Sequence, residues 1–432
     1  MDQLQRRVLP AVFLVCACWA VSTSHACAAP PFTLVATGFD LQQSARPALA
    51  DDGTVVAAEP EGLVLGDGVT VSFIDLAPSG LMFSPSNKSV RPVQVRSAGD
   101  IVFAADRFAA TGCAPYGARG VYRTDTGGSP PATLFEECIE GPSVGEKVGP
   151  HVSMSPNGTV AFSSIVSSEG AIHRGPVAGP VSLLRSGSGT FYNTGEIGVN
   201  DSGQVAVQME YGDPFGGLKR GILIFELVEQ ALTEIDTALE RVTIQPSIAI
   251  NSAGKVAFSS NFDFSMDIDG TLYSYTKGVY VSDPTLFNTE KMLTQIADAA
   301  GGYCGFGRVD INDVGTVVFE AQLVGGLSAC TPDPNAIYDG IFMGSDPVND
   351  RIATFNDAAL EAHRYFDEIR LGEINNSDQV SFLTTYSEPL VEPTYIWRAE
   401  LSEVRNERFI EGLIRRWRNL IRRLLERWGL FP

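Results

Sequence analysis

The sequence predicts an all-β protein: a seven-bladed β-propeller closed by its N-terminal strand, followed by a C-terminal amphipathic α-helix. Three observations carry this prediction. One turn-and-strand phrase recurs seven times along the 432 residues. Two further strand-like runs follow each of the first six copies. The seventh copy is followed by one such run, and the N-terminus supplies the run that is missing. Repeats of about 50 residues with four strands each are typical of propellers.

Residues 1–28 have the pattern of a secretory signal peptide. Arg6 and Arg7 precede an apolar run over residues 8–21, and Ala26-Cys27-Ala28 forms a small-residue exit. This order of charge, apolar run and small residues is typical of export signals. The run has 14 residues, whereas a spanning helix needs roughly 20. We therefore expect an exported protein, extracellular, at the cell surface or periplasmic, with a mature body of residues 29–400.

The repeated phrase is clearest at Asn251–Phe258, which reads Asn-Ser-Ala-Gly-Lys-Val-Ala-Phe. Asn or Asp opens a turn because its side chain bonds nearby backbone N–H groups. Gly three residues later accepts the positive φ of a hairpin turn. Alternating apolar residues on both sides predict two strands, a and b. The turns close at Gly53, Gly99, Gly158, Gly203, Gly254, Gly315 and, in the last copy, Asp378.

Each hairpin is followed by a strand c, often opened by Gly, and then by a strand d. The seventh unit ends after strand c at Glu400. The segment Phe32–Ala36 supplies a strand d, so we expect it to pair with Tyr395–Arg398 and close a ring. Unit lengths from 45 to 63 residues are irregular, and two β-sandwiches are the alternative architecture.

Four cysteines remain after the signal segment, and an even number in an exported protein predicts two disulfides. In a four-stranded blade the b–c and d–a loops leave from one end of the ring, here named the b–c end. All four cysteines fall in such loops. We predict the pairs Cys113–Cys138 and Cys304–Cys330. No Cys-x-x-Cys pair occurs among these four, so a zinc site is not expected.

The phrase also resembles the NxxGxxAF tandem repeat of exported bacterial proteins, the choice-of-anchor surface proteins. The resemblance covers roughly residues 32–400. Copies one, two and seven depart from the pattern, and copy three opens with Ser155. The resemblance implies export and display through varied C-terminal anchors. It implies no catalytic residues.

Residues 401–432 have a different pattern, with apolar side chains recurring at three- and four-residue spacing. This spacing predicts an amphipathic α-helix. The segment contains eight Arg and four Glu. Three roles stay open: contact with an anionic membrane surface, docking on the acidic body or a second copy, and a sorting signal. The residues that define its two faces are Trp417, Trp428, Arg415, Arg418, Arg422 and Arg423.

Catalytic or metal chemistry has little support in the sequence. His151, His173 and His363 fall in different units, and a lone His is usually structural. The acids Asp263, Asp267 and Asp269 precede Gly270 and resemble part of a calcium loop, although solvated loop acids are the preferred explanation. Calcium is the one cofactor that the sequence suggests.

The net charge of −20 excludes nucleic acid as an expected partner. We expect a non-catalytic surface module whose long b–c loops bind a glycan, a protein or a matrix component. The alternative is an extracellular hydrolase or lyase that uses acidic residues near the ring axis. A converging carboxylate pair at the b–c end would favour that alternative.

Overall fold

The computed structural model describes most of the repeat region. Across these residues there is no helix with the length and apolar character needed to cross a membrane. The described residues are 32–39, 46–83, 93–108, 113, 117–138, 152–166, 169–186, 191–212, 218–225, 235–237, 247–268, 271–286, 293–326, 330, 338–355, 366–386 and 394–402.

These residues form an all-β fold, a β-propeller. It comprises six four-stranded sheets, one five-stranded sheet and one two-stranded hairpin. One strand of each larger sheet, the strand that precedes the repeated turn, borders one common cavity. These strands therefore face the axis of a ring, and the alternative of two β-sandwiches is wrong.

Strand β1 (Phe32–Phe39) belongs to the last sheet of the chain. The first sheet contains β2 (Ala48–Leu49), β3 (Val55–Glu59), β4 (Gly62–Gly66) and β5 (Val71–Asp75). The five-stranded sheet contains β6 (Leu81–Met82), β7 (Val93–Val95), β8 (Asp100–Arg107), β9 (Ala118–Asp125) and β10 (Ala132–Cys138).

Two four-stranded sheets follow. The first contains β11 (Val152–Met154), β12 (Thr159–Val166), β13 (Glu169–Pro176) and β14 (Ser182–Ser186). The second contains β15 (Phe191–Val199), β16 (Val205–Gly212), β17 (Leu218–Phe225) and β18 (Ile235–Thr237).

The next sheet encloses the hairpin within its b–c segment. Its strands are β19 (Ile248–Ile250), β20 (Val256–Ser260), β23 (Gly278–Ser282) and β24 (Leu293–Asp298), with the hairpin strands β21 (Phe264–Ile268) and β22 (Thr271–Tyr275). The last two sheets contain β25 (Tyr303–Ile311), β26 (Val317–Leu323), β27 (Gly340–Phe342) and β28 (Arg351–Thr354), then β29 (Phe366–Ile374), β30 (Gln379–Tyr386) and β31 (Thr394–Glu400). Short 3₁₀ turns span Ala77–Ser79, Pro284–Leu286 and Ala299–Gly301.

The ring closes where the N-terminal strand joins the last sheet. Strand β1 pairs antiparallel with β31, with Thr33 opposite Arg398 and Leu34 opposite Trp397. The ring of Phe32 meets that of Phe382 edge-on at 5.7 Å. The predicted closure is confirmed, and strand order β29-β30-β31-β1 makes the N-terminal segment the outer strand of that sheet.

The hairpin turns have the predicted backbone. Gly254 has a φ of 77°, and Asp378 of the last copy is the one non-glycine residue with positive φ among those described. Asp tolerates this region better than most side chains. The aromatic residue that ends the repeated phrase lies in strand b and is fully buried in five sheets, at Phe103, Phe162, Phe258, Phe319 and Phe382.

Some features were not anticipated. Four strands were predicted for every unit, but β6 adds a fifth strand to one sheet by pairing with β8. The b–c segment after β20 was expected to be a loop and instead contains the β21–β22 hairpin. Residues 1–31, assigned to the signal peptide and the start of the body, lie outside the described residues. Residues 403–432 of the predicted C-terminal helix also lie outside the described residues, so this helix stays a prediction.

Candidate functional site

A cavity of about 170 Å³ opens on the ring axis at the end that carries the a–b turns, here named the a–b end. It is lined by the ends of the a strands and by their turns, including Gln94, Ser153, Asp310 and Glu373. The cavity is therefore built from the repeated phrase itself. Most b–c loops, on which the predicted binding face rests, lie outside the described residues.

Asparagines of the repeated phrase join neighbouring blades around this cavity. Nδ2 of Asn200 donates to the backbone carbonyl of Asn251 at 3.0 Å, and Nδ2 of Asn251 donates to that of Asn312 at 3.2 Å. Asn312 donates to the Asn375 carbonyl at 3.1 Å, and Asn375 donates to the Ala50 carbonyl at 2.8 Å. We name these contacts the asparagine ladder.

Each ladder asparagine also holds its own turn. Oδ1 of Asn251 accepts from the backbone N–H of Lys255 at 3.0 Å, and Oδ1 of Asn312 accepts from that of Thr316 at 2.8 Å. One amide thus satisfies donors and acceptors on two blades, which explains its burial. The ladder ends at Ala50, which carries no amide to continue it.

The following turn position forms a second ring of contacts. The backbone N–H of Ser252 donates to Oδ1 of Asp313 at 2.7 Å, and that of Asp313 donates to Oδ1 of Asn376 at 2.8 Å. The N–H of Asn376 donates to Oδ1 of Asp51 at 2.9 Å. The acidic rim of the cavity is therefore used to tie adjacent turns together.

Carboxylates deeper along the ring axis also join adjacent blades. Oε2 of Glu373 accepts from the Leu49 N–H at 3.0 Å, and Oδ2 of Asp310 accepts from the Ile374 N–H at 2.9 Å. Oε2 of Glu196 accepts from the backbone of the next blade at 3.1 Å. Each carboxylate caps a donor of the blade that follows, so these acids have structural partners.

A charge cluster surrounds Glu320, which is fully buried in strand β26. Its Oε1 pairs with Nη1 of Arg46 at 2.7 Å, and it also accepts from the N–H of Leu371 at 2.7 Å. Its Oε2 accepts from the N–H of Arg308 at 3.1 Å. Glu320 and nearby Glu368 raise the pKa of Arg370, although burial opposes this shift. Three blades therefore meet at one buried carboxylate.

Both predicted disulfides are present, Cys113–Cys138 and Cys304–Cys330. Each joins a b–c loop to the d–a edge of a sheet, at the b–c end. Disulfides persist in oxidising compartments, so the pairs indicate an extracellular or equivalent environment. They enclose sequence separations of 25 and 26 residues.

A sequence profile of a family of unknown function, DUF7453, matches residues 99–406, which is more than half of the chain. The chain belongs to the DUF7453 family. The match begins in the a–b turn of the five-stranded sheet, so β1 to β7 precede it. No curated protein matches this DUF7453 chain.

Solved structures similar to this DUF7453 protein have diverse roles. A mitotic checkpoint complex chain has a TM-score of 0.42 at 11% identity, covering 85% of this chain and 94% of its own. An ulvan lyase has a TM-score of 0.41 at 10% identity, and the match covers 84% of this chain and 93% of the lyase. An α-L-arabinofuranosidase from Fusarium graminearum has a TM-score of 0.39 at 10% identity, and the match covers 87% of this chain and 99% of that enzyme. At these scores we transfer no activity.

The weak calcium candidates gain no support as a group. The described residues contain no cluster of three or more His, Cys, Asp or Glu arranged for a metal. Oδ1 of Asp263 accepts from the Lys277 N–H at 2.9 Å. Asp267 lies in β21, and Asp269 lies outside the described residues. Ile268 of β21 pairs with Thr271 of β22.

His173 lies in the core of its blade. Its ring stacks on Phe162 at 4.9 Å and tilts against Phe135 at 4.5 Å. Burial lowers the pKa of His173. This agrees with the structural role expected for a lone histidine. His151 and His363 lie outside the described residues.

Neither the asparagine ladder nor the burial of Arg308 was predicted from the sequence. A signal for the ladder existed, because Asn recurs at one position in four copies. That recurrence was explained by turn formation alone. A signal for Arg308 also existed, since a charged residue interrupts the apolar strand before the Ile311 phrase.

Proposed function

We propose that this DUF7453 protein is an exported, non-catalytic propeller of seven blades that binds a glycan, a protein or a matrix component through its b–c end. The five-stranded sheet supports the seventh blade. Its strands β7, β8, β9 and β10 pair consecutively, as in the other blades, and Gln94 of β7 lines the same cavity. Strand β6 is then an addition at the far end of β8.

The observation that carries the proposal is the placement of the two disulfides. Both brace a b–c loop against the body, in two separate blades and at one end of the ring. Loops fixed on a rigid scaffold are a common means of recognition. The expected signal peptide and the resemblance to exported repeat proteins support the same reading.

The alternative, an extracellular hydrolase or lyase, would need free acids near the axis. Asp310, Glu373 and Glu196 each accept a backbone N–H from the next blade. Such contacts fit a carboxylate that holds blades together better than one that transfers protons to a substrate. This supports the non-catalytic proposal.

Binding of the oxidised mature chain, residues 29–432, to a glycan array and to immobilised matrix proteins tests the proposal. We expect binding to at least one class. Replacing Cys113 and Cys138 together by Ser should weaken it several-fold. Val69→Ser, at a 90% exposed position on the a–b end, is the matched control and should leave it unchanged.

Two results would contradict the proposal. One is binding that Val69→Ser removes and the cysteine pair leaves intact, because it would place the binding face at the a–b end. The other is release of reducing ends or unsaturated products from a polysaccharide, because it would establish the hydrolase or lyase alternative.

For the Arg-rich tail we propose contact with an anionic membrane surface. Its apolar face with Trp417 and Trp428 and its polar face with Arg415 and Arg422 support this. Flotation with anionic liposomes should recover the full chain and not a chain ending at Glu400. Equal flotation of both would favour docking or sorting instead.

A further inference from the structure

Arg308, in the a strand β25, carries a buried charge that has no partner among the described residues. The residue is 3% exposed. None of its three guanidinium nitrogens has a hydrogen-bond partner among the residues that the structure describes. Buried charges in proteins are normally paired, because an unpaired one loses its hydration without compensation. Such a group needs an explanation.

The neighbouring charges do not supply a partner. Arg46 pairs with Glu320, and Arg370 pairs with Glu368. Glu320 also accepts hydrogen bonds from two backbone N–H groups, including that of Arg308 itself. Among the described residues, the Arg308 guanidinium therefore has no carboxylate within hydrogen-bond distance, unlike those of Arg46 and Arg370.

The backbone is shaped to aim this side chain. Phe306 pairs with Ala321 and Val309 with Phe319, so residues 307 and 308 together oppose Glu320 in a β-bulge. A Cβ at Gly307 would lie 2.5 Å from Cζ of Tyr338, which only glycine avoids. Bulges commonly redirect side chains at functional sites.

The strand is regular beyond the bulge, so Arg308 lies on the same face as Asp310. Asp310 lines the axial cavity. Arg308 lies one step nearer the b–c end than Asp310 on this face of β25, and it is not among the residues that line the cavity. The a–b mouth carries Asp51 and Asp313, which would repel an anion. Entry from the b–c end avoids them.

We propose that Arg308 binds a carboxylate group of a ligand inside the ring. A planar guanidinium presents paired N–H donors that match the two oxygens of a carboxylate. One unpaired positive charge matches a singly charged group. The inference does not rest on the proposed loop-face function, since the loops could bind a neutral partner with or without this site.

Thermal unfolding with D-galacturonate as the probe tests this inference on the full mature chain. D-galactose is the neutral counterpart, sodium sulfate a second anion, and sodium chloride sets equal ionic strength. We expect galacturonate to raise the wild-type midpoint by about 1–2 °C for each tenfold excess over its Kd. Galactose should leave it unchanged. A sulfate shift that matches that of galacturonate would show a general oxoanion site and overturn the carboxylate assignment.

Variants separate binding from folding. Arg308→Met should lose the galacturonate response while its unliganded midpoint stays equal or rises, because an unpaired buried charge is removed. Arg308→Lys keeps the charge without the fork and should respond at least tenfold more weakly. Arg123→Gln, which removes an arginine paired with Asp100, is the control and should respond like wild type.

The proposal is overturned if wild type does not respond, if galactose acts like galacturonate, or if Arg308→Met responds fully. Loss of folding in Arg308→Met leaves Arg308→Lys to decide. Failure here is distinct from failure of the loop-face proposal, which the cysteine and Val69 variants test separately.

Discussion

Nδ2 of Asn251 donates a hydrogen bond to the backbone carbonyl of Asn312, which lies 61 residues further along the chain. Its Oδ1 meanwhile accepts from its own turn. The same side chain therefore shapes a local hairpin and joins two blades. Because the pattern passes through four asparagines to Ala50, it also spans the junction between the last blade and the first.

Asn251→Ala should lower the free energy of unfolding by about 2–3 kcal/mol, because buried groups on two blades lose their partner. Urea unfolding of the mature chain measures this. Asn349→Ala is the matched control, since Asn349 is exposed and its side chain donates to Asp346 of its own loop. The ladder has no energetic role if the two variants lose the same stability.

The closing strand β1 offers a second test of the fold, because two adjacent residues of this strand differ in burial. Val35 is 3% exposed and packs with Leu49 and Ile396, whereas its neighbour Leu34 is 36% exposed. Val35→Ala should cost about 1–3 kcal/mol through loss of buried methyl groups. Leu34→Ala should cost less than about 0.5 kcal/mol. Equal losses in urea unfolding would argue that β1 is not a packed part of the ring.

Sequence periodicity predicted the parts of the fold that depend on local residues. The turn at Gly254, the strands beside it and the closing strand follow from alternation and turn chemistry within one unit. The ladder could not be predicted in this way, because the partner of Asn251 lies on another blade. Local turn formation already gave that asparagine a sufficient role.

The same limit applies to the candidate site. Acidic residues near the axis belonged to the alternative prediction of a hydrolase or lyase, but the pattern did not tell a carboxylate that caps a backbone N–H, as Glu373 does, from a catalytic one. The bulge at Gly307 and Arg308 depends on the register with β26. Sequence alone does not fix that register, so the orientation of Arg308 could not be predicted from the sequence.

Removing either disulfide should destabilise the oxidised protein. A closed loop of about 25 residues contributes about 3 kcal/mol by restricting the unfolded chain. Cys304→Ser with Cys330→Ser should therefore shift urea unfolding by roughly that amount. The variant lacking all four cysteines is the control for reductant effects. It should show no change with dithiothreitol, whereas wild type should lose stability.

His173 makes stability depend on pH. It occupies the strand c position where other blades place Tyr122, Tyr280 and Phe342 in the core. Burial lowers its pKa in the folded state. Below the unfolded value of about 6.5 the unfolded chain therefore binds a proton that the folded chain resists. Stability contributed by neutral His173 is complete above that value and is lost as pH falls.

His173→Phe should remove this dependence while keeping an aromatic ring against Phe162 and Phe135. Unfolding free energies at pH 7.5 and 5.5 measure it. Wild type should lose more stability than the variant over this interval, by at most about 1.4 kcal/mol per pH unit. Parallel losses in the two proteins would mean that His173 titrates alike in the folded and unfolded states, and its burial would then carry no electrostatic cost.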